Sequence, residues 1–240
     1  MKNGELLMFL LISLFLFESC QKEDYLFYAG DICLEIEAGE NWIHDFPLLP
    51  GINKKNPPQF AVWIEDTAGN YLATVFVTHT IATQSWIGSH GNRRKESLPH
   101  WCHRRGVVYP DGLLLPTKDI PLADGITGAT PKSNKKLQVR LFDFENPVII
   151  KAEFNHSLDF NEFFPEDALE GAVNYSGGKM GSGQPAIIYS ATIHPLDTEV
   201  ELFPIGRSSS DGTNGNIYPD LERLSTAKSI VKQIKVKIIK

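Results

Sequence analysis

The stretch "DGITGATPK", residues 124 to 132, places hydroxyl, carboxylate and ammonium side chains around two glycines within nine positions. Thr130 offers a hydroxyl, Asp124 a carboxylate, and Gly125 and Gly128 can take a positive φ. The same residues make an ordinary turn, with Asp124 bonding the backbone two residues on and Thr130-Pro131 leaving in extended geometry. A second cluster, His90, His100, Cys102 and His103, contains ligand types for zinc or another transition metal. Its spacing departs from finger patterns, so the expectation is loop histidines beside Trp86 and Trp101.

Other chemistries are thinner. For calcium, Asp159, Asn161, Glu162, Glu166 and Asp167 form one candidate set, and Asp211 to Glu222 spans another. The sixth positions hold Phe164 and Asn216 where an EF-hand turn needs glycine, so both read as polar loops. Ser176, Ser182 and Ser190 sit in or near a glycine-rich connection without a Gly-x-Ser-x-Gly elbow. Glu65 with Asp66 and Glu166 with Asp167 are neighbours in sequence, which does not set them across a cleft. No catalytic set is assigned, and no metal.

The compartment narrows these choices. Residues 1–19 read as a signal peptide, with Lys2 at the start and an apolar run from Leu6 to Phe17 that is too short to span a bilayer. Cys20 follows Ser19, as in a bacterial lipoprotein signal, so Cys20 is the expected lipidation site and residues 20–30 its tether. "QKED", residues 21 to 24, resembles the signal that sends lipoproteins to the cell surface in the Bacteroidetes; a solvated tether uses the same residues. The expected location is the outer membrane, on its periplasmic or surface face, with membrane contact through the lipid alone.

Composition and pattern supply the body. Residues 31–240, in a chain that is 42% hydrophobic, suffice for one domain with a packed core. A net charge of -6 argues against nucleic acid as a partner. The basic group Arg93, Arg94, Lys95, Arg104 and Arg105 reads as a solvated face. Cys33 and Cys102 are open to two readings, a disulfide or two buried thiols. Period-two alternation marks strands near residues 31–36, 60–66, 71–77, 137–144, 148–154, 186–194 and 198–204. "FAVWIED" is apolar on both faces, which predicts a central strand with Trp63 in the core. The chain closes with a short helix near Leu224 to Val231 and a last strand, "IKVKII". Residues 78 to 134 are too long for a simple connection and read as an ordered excursion over one end or edge, with a short helix near Lys95 to Arg104.

"AVWIEDTAGNYLATVFVTH", "DGITGATPK", "FNHSLDFNEFF", "SGQPAIIYSATI" and "YPDLERLSTAKSIVKQIKVKI" resemble, in that order, a family of predicted secreted or periplasmic bacterial proteins of unknown function. The resemblance implies an immunoglobulin-like β-sandwich and an association with flavin transferases and extracytosolic redox. "DGITGAT" is similar to the motif on which bacterial flavin transferases place FMN, through a phosphoester to the last threonine. That similarity would make Thr130 the acceptor, with Asp124, Thr127, Gly128 and Ala129 completing the motif. The leading expectation is an all-β sandwich acting as a non-catalytic binding or accessory module with envelope protein partners and no cofactor. The alternative is an electron-transfer protein carrying covalent FMN.

Overall fold

Alternating apolar and polar side chains build most of this fold, because successive strand residues point to opposite faces. The structure is a computed structural model that describes residues 31–49, 52–86, 93–122, 127–140 and 145–239. Cys20, Asp124 and His90 lie outside them, as does the whole predicted signal and tether. The strands are β1 (Asp31–Ala38), β2 (His44–Leu49), β3 (Ile52–Asn56), β4 (Gln59–Glu65), β5 (Tyr71–Thr78), β6 (Thr127–Gly128), β7 (Lys135–Arg140), β8 (Val148–Asn155), β9 (Ile187–Ile193), β10 (Glu199–Arg207) and β11 (Val231–Ile238). Two short helices, α1 (His79–Thr83) and α2 (Pro99–Arg105), fall in the excursion.

The architecture is all-β and sandwich-like. Nine strands run in the order β6-β5-β4-β8-β9-β10-β11-β1-β7, antiparallel except for β5 with β6, and β2 pairs with β3 as a separate hairpin. One strand turns the corner. Glu199 to Leu202 of β10 pair with β11, Phe203 to Arg207 pair with β9, and the register shifts between Pro204 and Gly206. Gly206 has a φ of 152°, and a Cβ there would lie 2.5 Å from Ile217 Cγ2, so the bend requires glycine.

The curled sheet encloses a core of Ile32, Leu34 and Ile36 from β1, Phe60, Val62 and Ile64 from β4, Phe154 from β8, and Ile234 and Val236 from β11. Phe60 stacks between Phe76 and Phe154, with centroids 5.0 and 4.8 Å away. The two outward faces differ. Around β1 and β11, Glu35 pairs with Lys136 and Lys237, Glu37 with Lys232, and Glu199 with Lys235. Exposed pairs of this kind contribute at most about 1 kcal/mol each, and they leave that face water-loving.

The outward face of β4 and β8 is covered instead. Ala61, Trp63 and Val77 meet Ile81, Leu98, Trp101, Cys102 and Leu115 in a second apolar cluster. The excursion therefore lies on a face of the sheet, not over an end or edge as expected. β4 is central and buried along its whole length. Near Leu224 the expected helix is only a 3-10 turn at Thr226–Ser229, since β11 begins at Val231 and leaves no room for an α-helical stretch. Cys33 and Cys102 are both buried and free.

Candidate functional site

What pins the excursion bears on every candidate residue within it. Leu98 gives α2 no side-chain cap and Pro99 has no N–H, so the first free donors are the amides of His100 and Trp101. Both bond Glu153 of β8, at 3.2 and 2.8 Å. Glu65, fully buried at the end of β4, accepts from Trp63 Nε1 and Arg104 Nε at 2.9 Å and meets Lys151 Nζ at 2.9 Å. Arg104 also donates to Gly69 O. Burial raises the Glu65 pKa, but hydrogen bonds from Arg104, Trp63 and Lys151 outweigh it and bring the group down to about 2.

The candidate residues singled out in the sequence take other duties. His100 Nδ1 contacts Gly215 O at 2.7 Å, His103 Nδ1 contacts Pro99 O at 2.7 Å, and Cys102 is sealed in the second cluster. Among the described residues no three His, Cys, Asp or Glu side chains are grouped to hold a metal ion. Asp211 closes a local turn with Ser209 and Thr213, and Asn161 caps the amides of Phe163 and Phe164. Ser176 and Ser182 are buried. The expected solvated basic face is corrected too. Arg94 and Arg105 are buried within the excursion, with the Arg94 guanidinium carbon 4.4 Å from the Trp86 ring centroid and that of Arg105 5.1 Å from the Trp101 centroid.

Buried carboxyls on this side carry a pH dependence. Burial pushes Glu153 up to about 8 and Glu96 up to about 7, from an ordinary 4.5. The stability tied to them is complete below 4.5 and is lost as pH rises through those values. Burial lowers His100 and His156 to about 4 from 6.5, so their stability is lost on acidification and is complete above 6.5. Stability is therefore expected to fall as pH rises from about 6.5 to 8.5. Urea unfolding across that range reads it, and Glu96→Gln should flatten part of the slope.

The glycine-rich stretch lies where the two ends of the nine-stranded sheet approach. Thr127 and Gly128 form β6 beside Val77 and Thr78, and the chain then runs through Thr130 and Pro131 toward β7. Trp42 Nε1 donates to Pro131 O at 3.0 Å, and Gln59 Nε2 donates to Thr130 Oγ1 at 3.3 Å. A groove of about 390 Å³ opens here, lined by Val75, Phe76, Leu137, Thr127, Thr130 and Lys135 among others. That volume lies within the range of small-molecule sites, and its apolar wall with a few polar groups has their usual composition. Thr130 brings a hydroxyl and Lys135 an ammonium group to the groove, while the Phe76 ring beside them is stacked on Phe60.

Comparison with known protein families, curated proteins and solved structures finds no match.

The groove also explains Gly128. Its φ is not positive, but a Cβ there would stand 2.7 Å from Phe76 Cε2. Gly128→Val is expected to cost about 1–3 kcal/mol through overpacking against Phe76. Thr130→Ala removes a single long hydrogen bond and should cost no more than about 1 kcal/mol. Denaturant titration of the two variants checks the ranking. Sequence alone does not point to Phe76, Leu137 and Lys135, because they lie on strands outside "DGITGATPK" and carry no motif of their own.

Proposed function

We propose that this protein is an exported lipoprotein, anchored through Cys20, whose sandwich binds a partner or ligand in the cell envelope without catalysing a reaction. The observation that carries the reading is the groove between β5, β6 and β7, with its apolar wall of Val75, Phe76 and Leu137. Fold alone assigns no activity, so the reading rests on this site. No helix among the described residues is long and apolar enough to cross a membrane. The envelope location rests on the signal and Cys20.

Two measurements test it. Labelled palmitate should enter the wild-type chain but not Cys20→Ala, which should leave the membrane fraction. A photo-crosslinking residue at Ala129, exposed beside the groove, should give a discrete adduct in native envelopes, and Thr127→Arg should abolish it. No adduct from the wild-type groove would overturn the binding reading, and absence of label would overturn the anchor.

A second reading is favoured by one observation: Thr130 lines the groove beside Phe76. Here Thr130 carries FMN by phosphoester, and Asp124, Thr127, Gly128 and Ala129 present it to a flavin transferase; bound flavin would supply electron transfer. Co-expression with such a transferase in an exporting host should add the mass of one FMN less a water. Thr130→Ala should abolish the gain without unfolding the protein. An unchanged wild-type mass rejects this reading and leaves the binding module standing.

A further inference from the structure

Away from the groove, a carboxamide is held unusually tightly. Gln184, three residues before β9 and only 1% exposed, donates its backbone N–H to Asp159 O at 2.9 Å. Its Oε1 accepts from Ser225 N at 2.6 Å and from Ser225 Oγ at 3.3 Å. Its Nε2 donates to Thr226 Oγ1 at 2.5 Å, and that hydroxyl donates to Asp159 Oδ1 at 2.6 Å. Asp159 is 3% exposed, and its Oδ2 is buried without a hydrogen-bond partner. A carboxylate, a hydroxyl, a primary amide and a pair of donors on the amide oxygen thus stand in one chain of contacts.

We propose that Thr226 and Gln184 become joined by an intramolecular ester that the protein forms by itself, with Asp159 as the base. Thr226 Oγ1 accepts a hydrogen bond from the nitrogen bonded to Gln184 Cδ, which holds the hydroxyl beside the amide whose carbon it attacks. Asp159 Oδ1 takes the hydroxyl proton as the Oγ1–Cδ bond forms. The charge that develops on Oε1 falls to the Ser225 N–H and hydroxyl, the two donors already on that atom. Collapse breaks the Cδ–Nε2 bond, the nitrogen takes the proton back from Asp159, and ammonia leaves. Atoms balance with no oxidant, metal or cofactor: a hydroxyl and a primary amide give an ester and ammonia.

The surroundings suit the step. Burial raises the Asp159 carboxyl above its ordinary value, which makes its carboxylate a better proton acceptor. Gln184 and Asp159 are buried, Thr226 is half-buried and Ser225 is exposed, so the amide carbon and the base lie on the inner side of the contact chain. The bond would tie the segment before β9 to the turn before β11, 42 residues on, and would restrict the unfolded chain as a disulfide does. Both cysteines among the described residues are free, so no disulfide serves that purpose there.

Mass spectrometry of the full chain decides the matter. After proteolysis under denaturing conditions, the peptide holding Gln184 and the peptide holding Thr226 are expected as one species, lighter than their sum by one ammonia. Hydroxylamine should separate them. Thr226→Ala and Asp159→Asn should each return two unlinked peptides of full mass, and Thr226→Ser should keep the link. Wild-type peptides that run separately at full mass overturn the proposal whether or not any variant folds. An ammonia loss that persists in Thr226→Ala overturns it equally, because the loss then belongs to another amide.

Discussion

Glu65→Ala is expected to lower the free energy of unfolding by about 3–5 kcal/mol, the range for removing one partner of a buried charge pair. The carboxylate is fully buried and neutralises Lys151, whose side chain is only 11% exposed, while also binding Arg104 and Trp63 Nε1. Truncation strands the ammonium and the indole N–H together. Arg104, at 36% side-chain exposure, can turn to water, so most of the loss should come through Lys151. Glu65→Leu combined with Lys151→Met should recover part of it, since a matched apolar replacement leaves nothing unpaired. Urea midpoints at fixed pH give both numbers. A loss below about 1 kcal/mol would mean that water reaches this network.

The second large effect is expected from Trp63→Ala, at about 3–5 kcal/mol. Trp63 is fully buried between β4 and the excursion, its ring centroid lies 5.7 Å from that of His100, and it shares a cluster with Trp101, Leu98 and Ile188. Removing the indole opens a cavity where the excursion is pinned, so protease sensitivity within residues 93–122 should rise along with the loss in stability. Trp63 and Glu65 share a hydrogen bond, so their effects should not add, and a double-mutant cycle should show the coupling.

Residue alternation makes much of the fold legible. The strands expected near 31–36, 60–66, 71–77, 148–154, 186–194 and 198–204 are all present, and Trp63 is core as its two-sided apolar strand predicts. The hairpin of β2 and β3 has no such signature, because "HDFPLL" and "INKKN" carry a proline and consecutive lysines in place of clean alternation. At the candidate site, Thr130 and Gly128 are legible as residues but not as neighbours of Phe76. Nothing in "DGITGATPK" signals a ring pressed against Gly128 from β5.

By itself, then, the sequence determined the strand segments, the all-β class and the central place of β4, because side-chain period is a local property that each segment carries alone. The export reading also rests on sequence only, since it needs no more than the run ending at Cys20. Tertiary structure alone decided that the excursion caps a sheet face, that Lys151 is buried against Glu65 and Glu153 against the His100 and Trp101 amides, and that β10 turns from pairing with β11 to pairing with β9. It alone brought Gln184, Thr226 and Asp159 together, across separations of 42 and 67 residues. The physical reason is the same throughout: what covers a strand's outward face depends on segments distant in sequence, and no local pattern encodes which of them will arrive.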